Sequence, residues 1–151
     1  MKPKIIACAI LLAFGSSQAI AACPTSGRLT GNAISTTVSG NYGCALRGVG
    51  PAAEKWNELH QGTGIPGPDP VIDYKRGPGD PVDPTKQVGT FTIVGGTNPG
   101  TIKYDYGDPG GPYTYSVTPG GASGPPNVFA FCNVTTFEMF QVLVQPNPSP
   151  G

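Results

Sequence analysis

A single histidine, His60, stands four residues after the single tryptophan, Trp56, in the segment WNELH. An imidazole beside an aromatic ring can serve as a general base, a metal ligand or a pH-sensitive contact. Hydrolysis through His60 would need an activated nucleophile, and no G-x-S-x-G elbow accompanies it. A packed histidine is the simpler expectation, so no residue is assigned a catalytic role and the chain reads as a non-enzyme. Tyr74, Tyr104, Tyr106, Tyr113 and Tyr115 form a second group. Tyrosine has a flat apolar body and a polar tip, so such a set either fills a core or lines a ligand cavity. Trp56, His60, Tyr104, Tyr106 and Tyr115 are therefore the candidate ligand-binding residues, for a small apolar or sugar-like molecule. Asp69, Asp73, Asp80 and Asp83 fall around two proline-rich loops. Loop carboxylates can bind calcium, but this spacing fits no EF-hand and aspartate beside proline is ordinary turn chemistry. With no C-x-x-C and no Cys/His cluster, neither a metal nor a cofactor is expected.

The elements that would position these residues centre on Val88–Val117. Phe91 and Ile93 alternate with Thr90, Thr92 and Val94. Ile102, Tyr104 and Tyr106 share one face, opposite Lys103 and Asp105, and Tyr113, Tyr115 and Val117 alternate with Thr114 and Ser116. Period-two alternation of β-branched and aromatic residues marks strands with one buried face. The connectors GGTNPG and GDPGGP supply turn residues for tight antiparallel hairpins. Further strands are expected at Ala33–Val38, Val71–Lys75, Val128–Cys132 and Phe137–Val144. Pro51–His60 reads two ways. Pro51 and the following Ala-Ala-Glu suit a helix, whereas Trp56, Glu58 and His60 would share a strand face. Trp56 and His60 are neighbours under either reading, and Glu58 joins them only in the strand. Six to eight short strands with frequent turns predict an all-β fold, a single small antiparallel up-and-down β-barrel or sandwich, with a short helix at 51–60 as the alternative there.

Residues 1–22 read as a bacterial signal peptide. Lys2 and Lys4 precede an apolar run, Ile5–Phe14, that is too short to span a bilayer, and Ala19-Ile20-Ala21 is a cleavage site. The remaining chain is expected to form one β domain, 23–145, followed by a flexible proline-rich tail, 146–151. Ile20-Ala21-Ala22-Cys23 also resembles a lipobox, so lipid anchoring through Cys23 is the alternative to simple release into the periplasm or medium. Losing Lys2 and Lys4 from nine basic residues leaves seven against nine acidic ones. That balance, with no basic patch, argues against nucleic acid as a partner. No later stretch is apolar enough for a transmembrane segment. Cys23, Cys44 and Cys132 survive cleavage of the signal. A disulfide between Cys44 and Cys132 is expected because each lies at a strand, with Cys23–Cys44 second.

Three segments carry a resemblance: SGNYGCA at 39–45, WNELH at 56–60 and DYKRGPGDPVDPTKQVGTF at 73–91, with YDYG, YTYSV and FCN downstream. Together they resemble short secreted proteobacterial proteins of no assigned function. The resemblance spans Ser39–Asn133 and implies secretion and a small β fold, but no catalytic residues. The overall pattern also resembles lipocalin and avidin-type barrels. The leading functional expectation is a secreted, non-enzymatic barrel for a small ligand. The first alternative is a cell-surface assembly protein that pairs subunits through Phe137–Val144, which lies largely beyond the resembling segment. The second is an envelope hydrolase or inhibitor.

Overall fold

The structure, a computed structural model, describes residues 22–47, 54–73, 86–109, 111–120 and 126–147, with the backbone alone at 46, 47 and 54–56. A helix α1 (Gly31–Val38) precedes eight strands: β1 (Tyr42–Arg47), β2 (Glu54–His60), β3 (Asp69–Asp73), β4 (Lys86–Val94), β5 (Thr101–Asp105), β6 (Tyr113–Pro119), β7 (Val128–Asn133) and β8 (Met139–Gln145). Each strand pairs antiparallel with its neighbour in sequence, and β8 pairs with β1, which closes the barrel. The expected up-and-down barrel is thus the observed fold. The central meander pairs as the expected antiparallel hairpins, with Phe91 opposite Tyr104 and Ile102 opposite Tyr115.

Pro51–His60 resolves as strand over Glu54–His60, so Glu58 joins His60 on the inward face. The short helix lies elsewhere, at 31–38, where a strand was expected. Ile34 and Val38 are four residues apart, a spacing that suits either a strand face or a helix face, and both are fully buried. The N-cap favours the helix, and its threonine hydroxyls are satisfied within it. Thr30 Oγ1 accepts from Ala33 N–H at 3.1 Å as the N-cap, while Thr36 and Thr37 hydroxyls donate back to Asn32 and Ala33 carbonyls. Ile34 and Val38 seal one end of the barrel against a core that includes Phe91, Ile93, Ile102 and Val117. The helix start seats closely on the β4–β5 turn. A Cβ on Gly100 would lie 2.6 Å from both Gly31 Cα and Val94 O, so only glycine allows the approach.

The disulfide joins Cys23 to Cys132, not Cys44 to Cys132. Cys44 is on β1 and Cys132 on β7, and β8 runs between them. Two strand spacings separate them by roughly 9–10 Å, beyond the reach of a disulfide. Cys132 alternates with the inward residues Phe131 and Asn133, so the bridge lies on the outer wall and straps the N-terminal segment to β7. In this arrangement the Cys23 Sγ is engaged in the bridge and is not free for a lipid. Closure also corrects the expected pairing surface. β8 pairs with β7 over Met139–Leu143 and with β1 over Val142–Gln145, so its pairing groups are largely used within the barrel. Among the described residues no helix is long and apolar enough to cross a membrane.

The bridge closes a separation of 109 residues. Replacing Cys23 and Cys132 together by serine is expected to lower unfolding free energy by about 4 to 5 kcal/mol on the chain-entropy account, whereas Cys44→Ser changes it by less than about 1 kcal/mol. Urea denaturation checks both values. Non-reducing peptide mapping that linked Cys44 to Cys132 would contradict the assignment.

Candidate functional site

The end of the barrel opposite α1 is hollow. A cavity of about 610 Å³ opens there, lined by residues from all eight strands. Such a volume falls in the range of small-molecule sites. Tyr104, Tyr106, Tyr113, Tyr115, Phe131 and Phe140 make its aromatic wall. Tyr104 and Tyr106 stack 5° from parallel with centroids 6.0 Å apart. Tyr115 meets Tyr104 edge-on at 5.9 Å and Phe140 at 6.2 Å. Edge-to-face and offset pairs of this kind hold rings in fixed orientations.

His60 sits at the inner end of the cavity, where β2 passes beneath α1. Its Nδ1 lies 3.2 Å from Asn41 O, a carbonyl that can only accept, so Nδ1 carries the hydrogen. Nε2 then accepts from Tyr104 O–H at 2.7 Å. The ring stands edge-on to Phe91 at 5.0 Å. Burial drives its pKa from 6.5 down to about 4, against the opposing pull of its backbone hydrogen bonds with Asn41 and Glu58. With both nitrogens committed inside the wall, His60 is a packed, neutral histidine and not a base aimed at a substrate.

The carboxyl of Glu58 is the group that sequence reasoning left unassigned. It is partly buried and faces the cavity two residues above His60. Tyr106 O–H donates to it from 2.9 Å to each carboxylate oxygen. Burial raises its pKa from 4.5 to about 7. The Tyr106 hydrogen bond opposes this rise, and the charge of Asp73, its register partner on β3, adds to it. Burial and the nearby Glu58 charge in turn push the Tyr106 and Tyr104 hydroxyls well above their usual value. Burial likewise raises Tyr115, against a hydrogen bond with Asn133.

The structure therefore gathers His60, Tyr104, Tyr106 and Tyr115 around one cavity. The Trp56 side chain, like Tyr74, Asp80 and Asp83, lies outside the described residues; its backbone pairs with Ala45 on β1. Asp69 turns away to accept from Thr63 N–H at 2.9 Å and Gly64 N–H at 2.8 Å, stabilising the β2–β3 loop. Asp73 and Glu138 line the cavity with Glu58, and neither was picked out from sequence as part of this site. Among the described residues, no group of three or more His, Cys, Asp or Glu is placed to hold a metal ion. Comparison of the chain with protein-family models, curated proteins and solved structures finds no match.

Glu58 and His60 act on stability in opposite directions. Folded His60 stays neutral down to about pH 4, whereas the unfolded chain protonates it below 6.5, so stability falls as pH drops from 6.5 to 4. Folded Glu58 keeps its proton up to about pH 7, whereas the unfolded chain releases it above 4.5, so stability falls as pH rises from 4.5 to 7. Each is worth on the order of 3 kcal/mol across its window, and between 4.5 and 6.5 the two offset each other. Glu58→Gln is expected to leave stability climbing with pH up to 6.5, and His60→Gln to leave it declining up to pH 7. Urea denaturation across this range measures both slopes. A Glu58→Gln profile identical to that of the unaltered protein would contradict the assignment.

Proposed function

We propose that this chain is an exported, non-enzymatic β-barrel that binds a small organic ligand in its cavity. The observation that carries the reading is the combination of an aromatic wall with a few inward polar groups around a space of about 610 Å³. Stacked tyrosines favour a ligand with a flat apolar or sugar-like face. Binding is preferred to catalysis for a chemical reason. Glu58 has a pKa suited to proton transfer near neutrality, but its partner Tyr106 is pushed out of range and His60 is bonded on both sides. Export is supported by the amino-terminal basic and apolar pattern of residues 1–22 and by the Cys23–Cys132 disulfide, which suits an oxidising compartment.

Ala45 lines the cavity from β1. Ala45→Trp is expected to fill part of that space and to weaken binding of any ligand found in a fluorescence and thermal-shift panel by at least about tenfold, with far-ultraviolet circular dichroism unchanged. A folded Ala45→Trp protein that binds as tightly as the original would remove the cavity from the function. Mass measurement of protein recovered from the periplasm is expected to show loss of residues 1–22 and an unlipidated Cys23.

A further inference from the structure

We propose that the cavity selects a neutral, polyhydroxylated ring, a sugar or glycoside, whose C–H face lies against the tyrosines and whose hydroxyls meet donors and acceptors set together toward the open end. This rests on the binding reading above and chooses the sugar-like ligand over the flat apolar one.

The argument comes from what the wall offers at each height. The deeper hydroxyls are spent internally, Tyr104 on His60 and Tyr106 on Glu58. Toward the open end the hydroxyls of Tyr113, Tyr115 and Thr136 keep their hydrogens. Tyr113 lines the cavity and is 41% exposed, so its hydroxyl is offered at the opening. Tyr115 is hydrogen-bonded to the Asn133 side chain. Asn133 Oδ1 already accepts from the backbone N–H groups of Thr135 and Thr136 at 2.9 and 3.0 Å. The Asn133 amide N–H therefore meets the Tyr115 oxygen, and the Tyr115 hydrogen stays available. Thr136 Oγ1 accepts from Glu138 N–H at 3.4 Å, which likewise leaves its hydroxyl hydrogen. Acceptors stand among these donors. Each Glu58 oxygen takes a hydrogen bond from Tyr106 and keeps a second lone pair. Glu138 lines the cavity at its exposed rim. Asp73 also lines the space, but it has an interaction of its own and is given no part.

This mixture of groups fits one class of ligand. A hydroxyl donates and accepts at once, so a ring that bears several can satisfy both sets. A flat apolar ligand would strip water from these groups and return no hydrogen bonds, which is costly. An anion would meet the Glu58 and Glu138 carboxylates. A simple cation would leave the hydroxyl donors facing it. A pyranose ring carries C–H groups on its faces and hydroxyls around its edge. The rings of Tyr106 and Tyr115 supply an apolar wall for those faces, and a space of about 610 Å³ admits such a ring with a substituent.

The test uses two probes that differ only in their ring hydroxyls, phenyl β-D-xylopyranoside and 2-phenoxytetrahydropyran, titrated calorimetrically into the disulfide-intact protein near neutral pH. The xyloside is expected to bind at least about tenfold more tightly, because a site built to hydrogen-bond hydroxyls discriminates against the analogue that lacks them. Phenyl β-D-glucuronide is expected to bind more weakly than phenyl β-D-glucopyranoside, since its carboxylate meets those of the wall. Tyr113→Phe and Thr136→Val, both at exposed positions, should each weaken the xyloside by about three- to tenfold, the loss of one hydrogen bond. Equal or tighter binding of 2-phenoxytetrahydropyran overturns the hydroxyl recognition and leaves the binding reading standing. Tighter binding of the glucuronide overturns the neutral assignment. Xyloside affinity indifferent to both substitutions overturns the seat proposed for it. Failure of all the glycosides to bind overturns the sugar proposal, and if flat aromatic compounds also fail, the binding reading falls with it.

Discussion

Closing an eight-stranded sheet on itself commits every second side chain to an interior with no edge to escape through. In β2 that alternation carries Glu58 and His60 inward together, so the fold must accommodate two ionisable groups inside an aromatic lumen. Everything distinctive about the site follows from how it does so. At the sealed end, beneath α1, His60 is satisfied by two protein partners, Asn41 O and Tyr104 O–H. Nearer the open end the lumen stays hollow, and Glu58 is met by one hydroxyl, from Tyr106, with cavity on its other side. One group is fully absorbed into the wall and the other remains available.

The helix and the disulfide serve this division. Ile34 and Val38 fill the bottom of the barrel and place the deep layer of Phe91, Ile93 and Ile102 out of reach of solvent. The Cys23–Cys132 bridge lies on the outside and fixes the segment that leads into that helix. The helix stays at the closed end, while the bridge lies on the outer wall beside Asn133, whose carbonyl is 3.4 Å from Cys23 Sγ. The two ends are built differently: a close-packed plug below and a polar-edged aromatic cup above. Buried polar groups carry a cost unless they are paired, and in the plug His60 is paired at both ring nitrogens.

Much of this was legible in the sequence. The alternation through Phe91, Ile93, Ile102, Tyr104, Tyr115 and Val117 specified which side chains face inward, and the turn residues between them specified antiparallel neighbours. The tyrosines that line the cavity were named on that basis alone. Three things were not legible, each for a physical reason. Ile34 and Val38 have a spacing that serves both a strand and a helix, and the decision rests on the Thr30 cap and on docking against the β4–β5 turn. The disulfide depends on strand order around the barrel, since β8 slots between β1 and β7 and separates Cys44 from Cys132. Glu58 was visible as a neighbour of His60 only if the segment was a strand, and Pro51, Ala52, Ala53 and Glu54 pulled equally toward a helix. Its partners Asp73 and Tyr106 come from β3 and the end of β5, and only closure brings them together.

The central claim is that an acid group sits in this lumen with its proton held toward neutrality by burial and by Asp73. The most direct measurement is a carbon-detected NMR titration of the Glu58 side-chain carboxyl in the folded, disulfide-intact protein. A midpoint at about 7, shifted downward when Asp73 is replaced by asparagine, is the result this structure requires. A midpoint near 4.5, the ordinary value for the group, would mean that Glu58 is not enclosed as described, and the site built around it would not stand.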